Sequence, residues 1–92
     1  MLFADRIREL RQEYQLPQRR LAAALDIDTA TYCKIEKGER KAKKEQVLIM
    51  ADMLHIDSNE LLTLWIADKV TDAIGENKSV AQKAISIAVE NL

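Results

Sequence analysis

Apolar positions recur along the chain at helical spacing, and the turns fall where that spacing breaks. Phe3, Ile7, Leu10 and Tyr14 stand at i, i+4, i+7 and i+11, one stripe with Arg6, Arg8 and Arg11 off it, which predicts a first helix. Pro17 ends it and suits the first position of a second helix, where its missing N–H is harmless and its fixed φ is already helical. That helix, Gln18 to Leu25, turns Leu21 and Leu25 inward, while Ala22, Ala23 and Ala24 leave room for a close crossing. Asp26-Ile27-Asp28 reads as a tight turn, with Ile27 tucked inward and Asp28 as N-cap of a third helix. The third helix runs from Thr29 to about Lys37 and stops at Gly38, the expected C′ residue. Tyr32 and Ile35 face its core side. Thr29, Ala30, Cys33, Lys34 and Lys37 share the opposite face, which is small, polar and cationic.

The loop Gly38 to Lys44, GERKAKK, carries four cations and one acid, and a fourth helix follows with Val47, Met50, Ala51 and Leu54 at core spacing. Asp57 with Glu60 three residues later predicts a capping box at the start of a fifth helix. Leu61, Leu62, Leu64, Trp65 and Ile66 then crowd five apolar residues into six positions, and Val70, Ala73 and Ile74 continue the pattern. One stripe cannot hold them all, so part of this surface is expected to await another chain, with Leu61, Leu64, Trp65, Val70 and Ile74 as interface residues. Gly75 to Lys78 breaks the pattern. Ser79 is the expected cap of a last amphipathic helix bearing Val80, Ala81, Ala84, Ile85, Ala88 and Leu92, with Ile85 joining the interface set. The expected class is therefore all-α: a first helical domain over residues 1–66 and a helical, dimerising extension over 67–92.

Composition narrows the possibilities. Ninety-two residues with only two Gly and one Pro describe one small helical unit whose modest core would gain from dimerisation. The apolar runs Leu21–Leu25 and Val47–Ala51 fall far short of the roughly 18 residues of a membrane span. Asp5 and Arg6 interrupt any signal-peptide pattern, so a cytoplasmic location is expected. Cys33 is the sole cysteine and His55 the sole histidine, which leaves no internal disulfide and no metal-ligand set. With no glycine-rich phosphate loop and no clustered carboxylates either, no enzyme and no cofactor is expected. His55 reads as a helix-end residue favoured by the dipole. Cys33 reads as a tolerated small residue, a redox switch being the lesser reading.

Charge changes the picture most. The net charge of −1 averages two unlike halves. Residues 1–44 hold 11 Lys/Arg against 7 acids, whereas residues 45–92 hold 3 Lys against 8 acids. A basic front with an acidic back suits a protein that presents one face to phosphates.

Gln18, Leu21-Ala22, Leu25, Ile27, Tyr32, Ile35-Glu36, Gly38, Ala51, Leu54, Ile56 and Leu61-Leu62 together resemble the phage repressor and Cro type of helix-turn-helix domain, the XRE family, over about residues 3–63. The resemblance implies a five-helix lambda-repressor-like DNA-binding domain with one additional C-terminal helix. It also implies that the helix Thr29–Lys37 enters the major groove of double-stranded DNA. Thr29, Ala30, Cys33 and Lys34 would then meet base edges: Lys can donate to guanine O6 and N7, and Ala or the Thr methyl can pack on a thymine methyl. Gln18 would hold a phosphate at the start of the second helix, and Arg11 would pair with Glu36 while facing the backbone. Thr31, Lys37, Arg40, Lys41, Lys43 and Lys44 complete the expected phosphate contacts.

Three positions depart from the family pattern: Pro17 replaces the usual Ser or Thr, Asp26 the usual turn Gly, and Ala42-Lys43 the usual Pro-Ser. The implied function is a homodimeric transcriptional regulator, most simply a repressor, on a pseudo-palindromic operator. The competing reading is an antitoxin or other module whose C-terminal apolar helices bind a different protein.

Overall fold

The computed structural model describes residues 1–92. All regular structure is helical: α1 (Leu2–Glu13), α2 (Gln18–Ala24), α3 (Thr29–Glu36), α4 (Lys44–Met53), α5 (Ser58–Ile74), a 3₁₀ turn (Lys78–Val80) and α6 (Ala81–Glu90). Helices α1 to α5 enclose one core of 14 buried residues, among which Ile7, Leu21, Tyr32, Val47, Met50, Leu54 and Leu61 are 0% exposed. The periodic positions expected to face inward on α1 to α4 do so, except Tyr14. That residue is the C-cap of α1, exposed, with its ring edge-on to His55 at 5.3 Å. No helix is long and apolar enough to cross a membrane.

One ending closes each of the first four helices. Gln15, Asp26, Gly38 and His55 all occupy the left-handed region, at φ 55°, 56°, 76° and 54°. In each, the next residue's N–H returns to a carbonyl five residues back: Leu16 to Arg11, Ile27 to Ala22, Glu39 to Lys34, and Ile56 to Ala51. These are Schellman endings, which satisfy carbonyls the helix leaves free. Leu16, Ile27 and Ile56 then pack on the core and fix the angle at which each chain turns. Only Gly38 adopts this conformation without steric penalty. A chain with two glycines thus makes four tight exits by accepting backbone strain at three.

Several helix starts differ from the sequence expectation. Pro17 is the N-cap of α2, with extended ψ of 153°, rather than its first helical residue. Ala23 and Ala24 are exposed, so of the three alanines only Ala22 serves the close packing of α2 on α3. Asp57 caps α5 by accepting from Asn59 N–H at 2.9 Å, with no reciprocal bond from Glu60. Ser79 caps nothing: it lies inside the 3₁₀ turn, and α6 begins after Val80 without a side-chain cap. Conversely, Gln46 Oε1 accepts from Lys43 N–H at 2.9 Å, which secures the start of α4.

Helix α5 carries the main corrections. Leu61, expected at an interface between copies, is 0% exposed in the protomer's own core. Leu64 and Trp65 are half-buried against that core, and Trp65 donates its indole N–H to Ala42 O at 2.9 Å. With apolar residues around most of its circumference, α5 turns one side onto α1 and α4, and that side takes these three. Val70 and Ile66 stay exposed. The helix runs unbroken through the expected boundary at residue 66, and Asp68 accepts from the N–H groups of Leu2 and Phe3 at 3.0 and 2.9 Å, capping α1 from the far end of the sequence. The contacts of α5 with the start of α1 thus extend to Asp68.

Beyond Gly75 the chain is different in kind. Helix α6 buries none of its residues, and with the end of α5 it forms an open groove lined by Val70, Ala73, Ile74, Val80, Ala81, Ala84, Ile85 and Ala88. The molecule is elongated, 42 × 24 × 22 Å, with a radius of gyration of 14.7 Å, against about 12 Å for a compact chain of this length.

Candidate nucleic-acid interface

The α2–turn–α3 unit sets the geometry. Asp26 in the left-handed conformation reverses the chain, and Asp28 Oδ1 then accepts from Thr31 N–H at 2.7 Å to start α3. Hydrogen bonding from Thr31 also holds the Asp28 carboxyl below its ordinary value, so the cap is ionised at neutral pH and favours the positive end of the helix dipole. Eight residues make little over two turns, so the two faces of α3 separate cleanly. Tyr32, Ile35 and Glu36 are buried, while Thr29, Ala30, Lys34 and Lys37 are exposed, with Thr31 and Cys33 at the edges.

Beneath the exposed face lies a buried ion pair. Arg11 Nε donates to Glu36 Oε2 at 2.6 Å and Arg11 Nη2 to Glu36 Oε1 at 3.1 Å, while Nη1 donates to Leu16 O at 2.9 Å. The fork ties α1 to α3 and to the α1–α2 turn together, and its partner carboxylate raises the Arg11 pKa further. Gln18 Nε2 reaches Glu36 Oε1 at 3.4 Å, which orients the glutamine at the first position of α2. The Tyr32 hydroxyl, fully buried beside Glu36 and Arg11, finds no well-aligned partner. Burial first, and then the neighbouring carboxylate, push its pKa far above the ordinary phenol value, so it stays neutral.

The cations expected to contact phosphates fall into two groups. Arg40, Lys43 and Lys44 are exposed and have no carboxylate partner, as has Lys37 at the end of α3. Arg11 and Lys41 are engaged: Arg11 with Glu36, and Lys41 with Asp72 of α5 at 3.3 Å. Arg19 is also exposed and unpaired in the same turn as Gln18. Sequence reasoning passed over it, although an Arg beside the glutamine at a helix start was signal enough. The roles of Asp68 and Asp72 had no local signal, since their partners lie more than thirty residues away.

The geometry is thus a capped short helix with a polar, cationic outer face, crossed by a second helix and flanked by free cations. A family model described as a helix-turn-helix domain matches residues 2–64. The chain belongs to the helix-turn-helix family. As a helix-turn-helix protein it is a DNA-binding transcriptional regulator of the phage-repressor type. The matched segment ends inside α5, so the last turns of α5 and all of α6 lie outside what defines the helix-turn-helix domain. Over its whole length the chain is similar to the cryptic phage CTXphi transcriptional repressor RstR of Vibrio cholerae serotype O1, at 28% identity over 98 residues, covering 100% of this chain and 88% of the relative. No solved structure matches the chain significantly.

Proposed function

We propose that the protein is a homodimeric repressor that occupies a pseudo-palindromic operator, with α3 of each copy in one major groove. The observation that carries this reading is the division of α3: Tyr32, Ile35 and Glu36 lock it to the body while Thr29, Ala30 and Lys34 stand free at its opening turns. In this reading Thr29, Ala30, Cys33 and Lys34 meet bases. Gln18, Thr31, Lys37, Arg40, Lys43 and Lys44 hold phosphates, and Arg11 acts mainly by fixing α1 and Glu36 behind them. The repressor role follows the name of the similar CTXphi protein, and the site of action is the DNA-containing cytoplasm.

The dimer rests on the state of α6. A ten-residue helix without tertiary packing is marginal in water, and this one exposes Ile85, Ile87 and Val89 on more than one side. The protomer exposes 6431 Å² where a compact monomer of 10.5 kDa exposes about 5400 Å². The excess of about 1000 Å² is comparable to one partner's share of a standard protein interface, about 800 Å². Val70, Ile74 and Ile85, which line the groove, are its anchors.

Selection of bound duplexes from a random library with purified protein tests the whole reading, because it reports binding, sequence and half-site spacing together. Half-site centres about 10 to 10.5 base pairs apart, or a multiple of that, are expected. Lys43→Ala with Lys44→Ala should weaken binding evenly and flatten the salt dependence, whereas Thr29→Ala or Lys34→Ala should change the preferred base. Even loss across sequences for the second pair overturns the base-contact assignment. The second reading, a groove for a different protein, is favoured by the same uncovered α6. Sedimentation separates the two: a dimer that Ile85→Lys converts to monomer supports self-association, and a wild-type monomer supports a foreign partner.

A further inference from the structure

Helix α5 grips the basic α3–α4 loop at two points. Trp65 Nε1 donates to Ala42 O at 2.9 Å, and Ala42, buried, carries the loop's middle inward. One residue earlier, Lys41 turns its ammonium onto Asp72 Oδ2 at 3.3 Å. The other three cations of the loop, Arg40, Lys43 and Lys44, have no carboxylate partner. Lys69, the cation nearest in sequence on α5, stands over the Trp65 ring at 3.7 Å instead of on Asp72. Asp72 therefore faces one loop cation, and that cation is held toward the body of the protein.

We infer that Asp72 is an internal competitor of the DNA backbone for Lys41, and that this contact moderates the strength and salt dependence of DNA binding. The inference rests on the DNA-binding reading of the loop. A phosphate that recruits Lys41 must displace a carboxylate already in place, so the free protein withholds one of its loop charges from non-specific duplex. Both side chains are solvent-accessible, 67% and 44% exposed, so the exchange needs no unfolding. The pair is accordingly weak, and its removal should act on affinity by a small factor. Trp65 is the complementary positioning residue: it holds the loop backbone while Asp72 governs the charge.

The test is a double-mutant cycle with wild type, Asp72→Asn, Lys41→Ala and the double variant, read by fluorescence anisotropy on a mixed-sequence duplex about two helical turns long. Phosphate contact is independent of sequence, so no operator is needed. Asp72→Asn should tighten binding roughly two- to fivefold at low salt and steepen the log–log salt slope by about one. In the Lys41→Ala background the same substitution should have much the smaller effect, since no ammonium remains to be released. Equal tightening in both backgrounds shows a general charge effect and overturns the proposal alone. Failure of the wild-type protein to bind any duplex overturns the DNA-binding reading and the proposal with it. Circular dichroism of the four proteins checks that helix content is the same throughout.

Discussion

Replacing Arg11 with alanine tests the buried support of the recognition helix. The substitution removes two hydrogen bonds to Glu36 and one to Leu16 O, and leaves a carboxylate 3% exposed with only Gln18, at 3.4 Å, and the neutral Tyr32 hydroxyl beside it. Breaking one partner of a buried ion pair costs about 3 to 5 kcal/mol. The Arg11 side chain keeps 14% of its exposure, which admits some solvent, so the lower end of about 3 kcal/mol applies. A domain of 92 residues has roughly 5 to 14 kcal/mol in total, and each kcal/mol moves its midpoint by about 4 to 8 °C. The expected fall in Tm is therefore roughly 12 to 24 °C, read by far-UV circular dichroism at one protein concentration so that self-association is constant. Pairing Arg11→Met with Glu36→Leu should recover most of it, because the loss arises from an uncompensated charge rather than from the absence of the pair. A fall below about 1 kcal/mol for Arg11→Ala, or a double variant as unstable as the sum of the singles, refutes this account.

Three other substitutions probe the helix ends. Gln15→Gly relieves a left-handed residue at φ 55° on an exposed turn and should raise stability by about 1 kcal/mol in urea titration. Gly38→Ala should lower it by about 1 to 2 kcal/mol, because φ is +76° and the new Cβ would stand 2.8 Å from Met1 Cγ; an unchanged midpoint would contradict the need for glycine at the left-handed ending of α3. Asp28→Asn keeps an acceptor for Thr31 N–H but no longer titrates. The folded-state pKa of Asp28 lies below its ordinary value, so its contribution is present above about pH 4 and is lost as pH falls through the lower folded value. Thermal melts should accordingly show the advantage of wild type over the variant constant near neutral pH and shrinking in acid, and an advantage that grows in acid refutes the assignment.

The sequence carried the α1 to α4 pattern because each of those helices has one apolar stripe and one polar face. Asp28 and Gly38 were legible for the same local reason: a cap acts within three residues of itself. The Arg11–Glu36 pair lay beyond periodicity and came through family resemblance. Helix α5 resisted both approaches. Leu61, Leu62, Leu64, Trp65 and Ile66 cover most of the helix circumference, so spacing alone does not say which side meets the core, and Leu61, Leu64 and Trp65, expected at an interface, turn inward. Asp68 and Asp72 were invisible because the groups they bind, the start of α1 and the Lys41 ammonium, are brought near only by the closed fold. Ser79 failed for a subtler reason: the chain enters α6 through a 3₁₀ turn, which moves the helix start past the serine.

The seventeen residues of α5 form a rod about 25 Å long with no glycine or proline inside it. Its first turns are cemented into the core at Leu61, and its last carry Val70 and Ile74 to the groove. A pair of copies joined through that groove would have no hinge between the joint and the reading heads. Spacer length on the DNA would then be a torsional constraint as well as a distance: one inserted base pair rotates the far half-site by about 34 to 36°. A stiff connection of this kind can absorb that rotation only by twisting the duplex itself, so operators should tolerate base changes in the spacer far better than changes in its length.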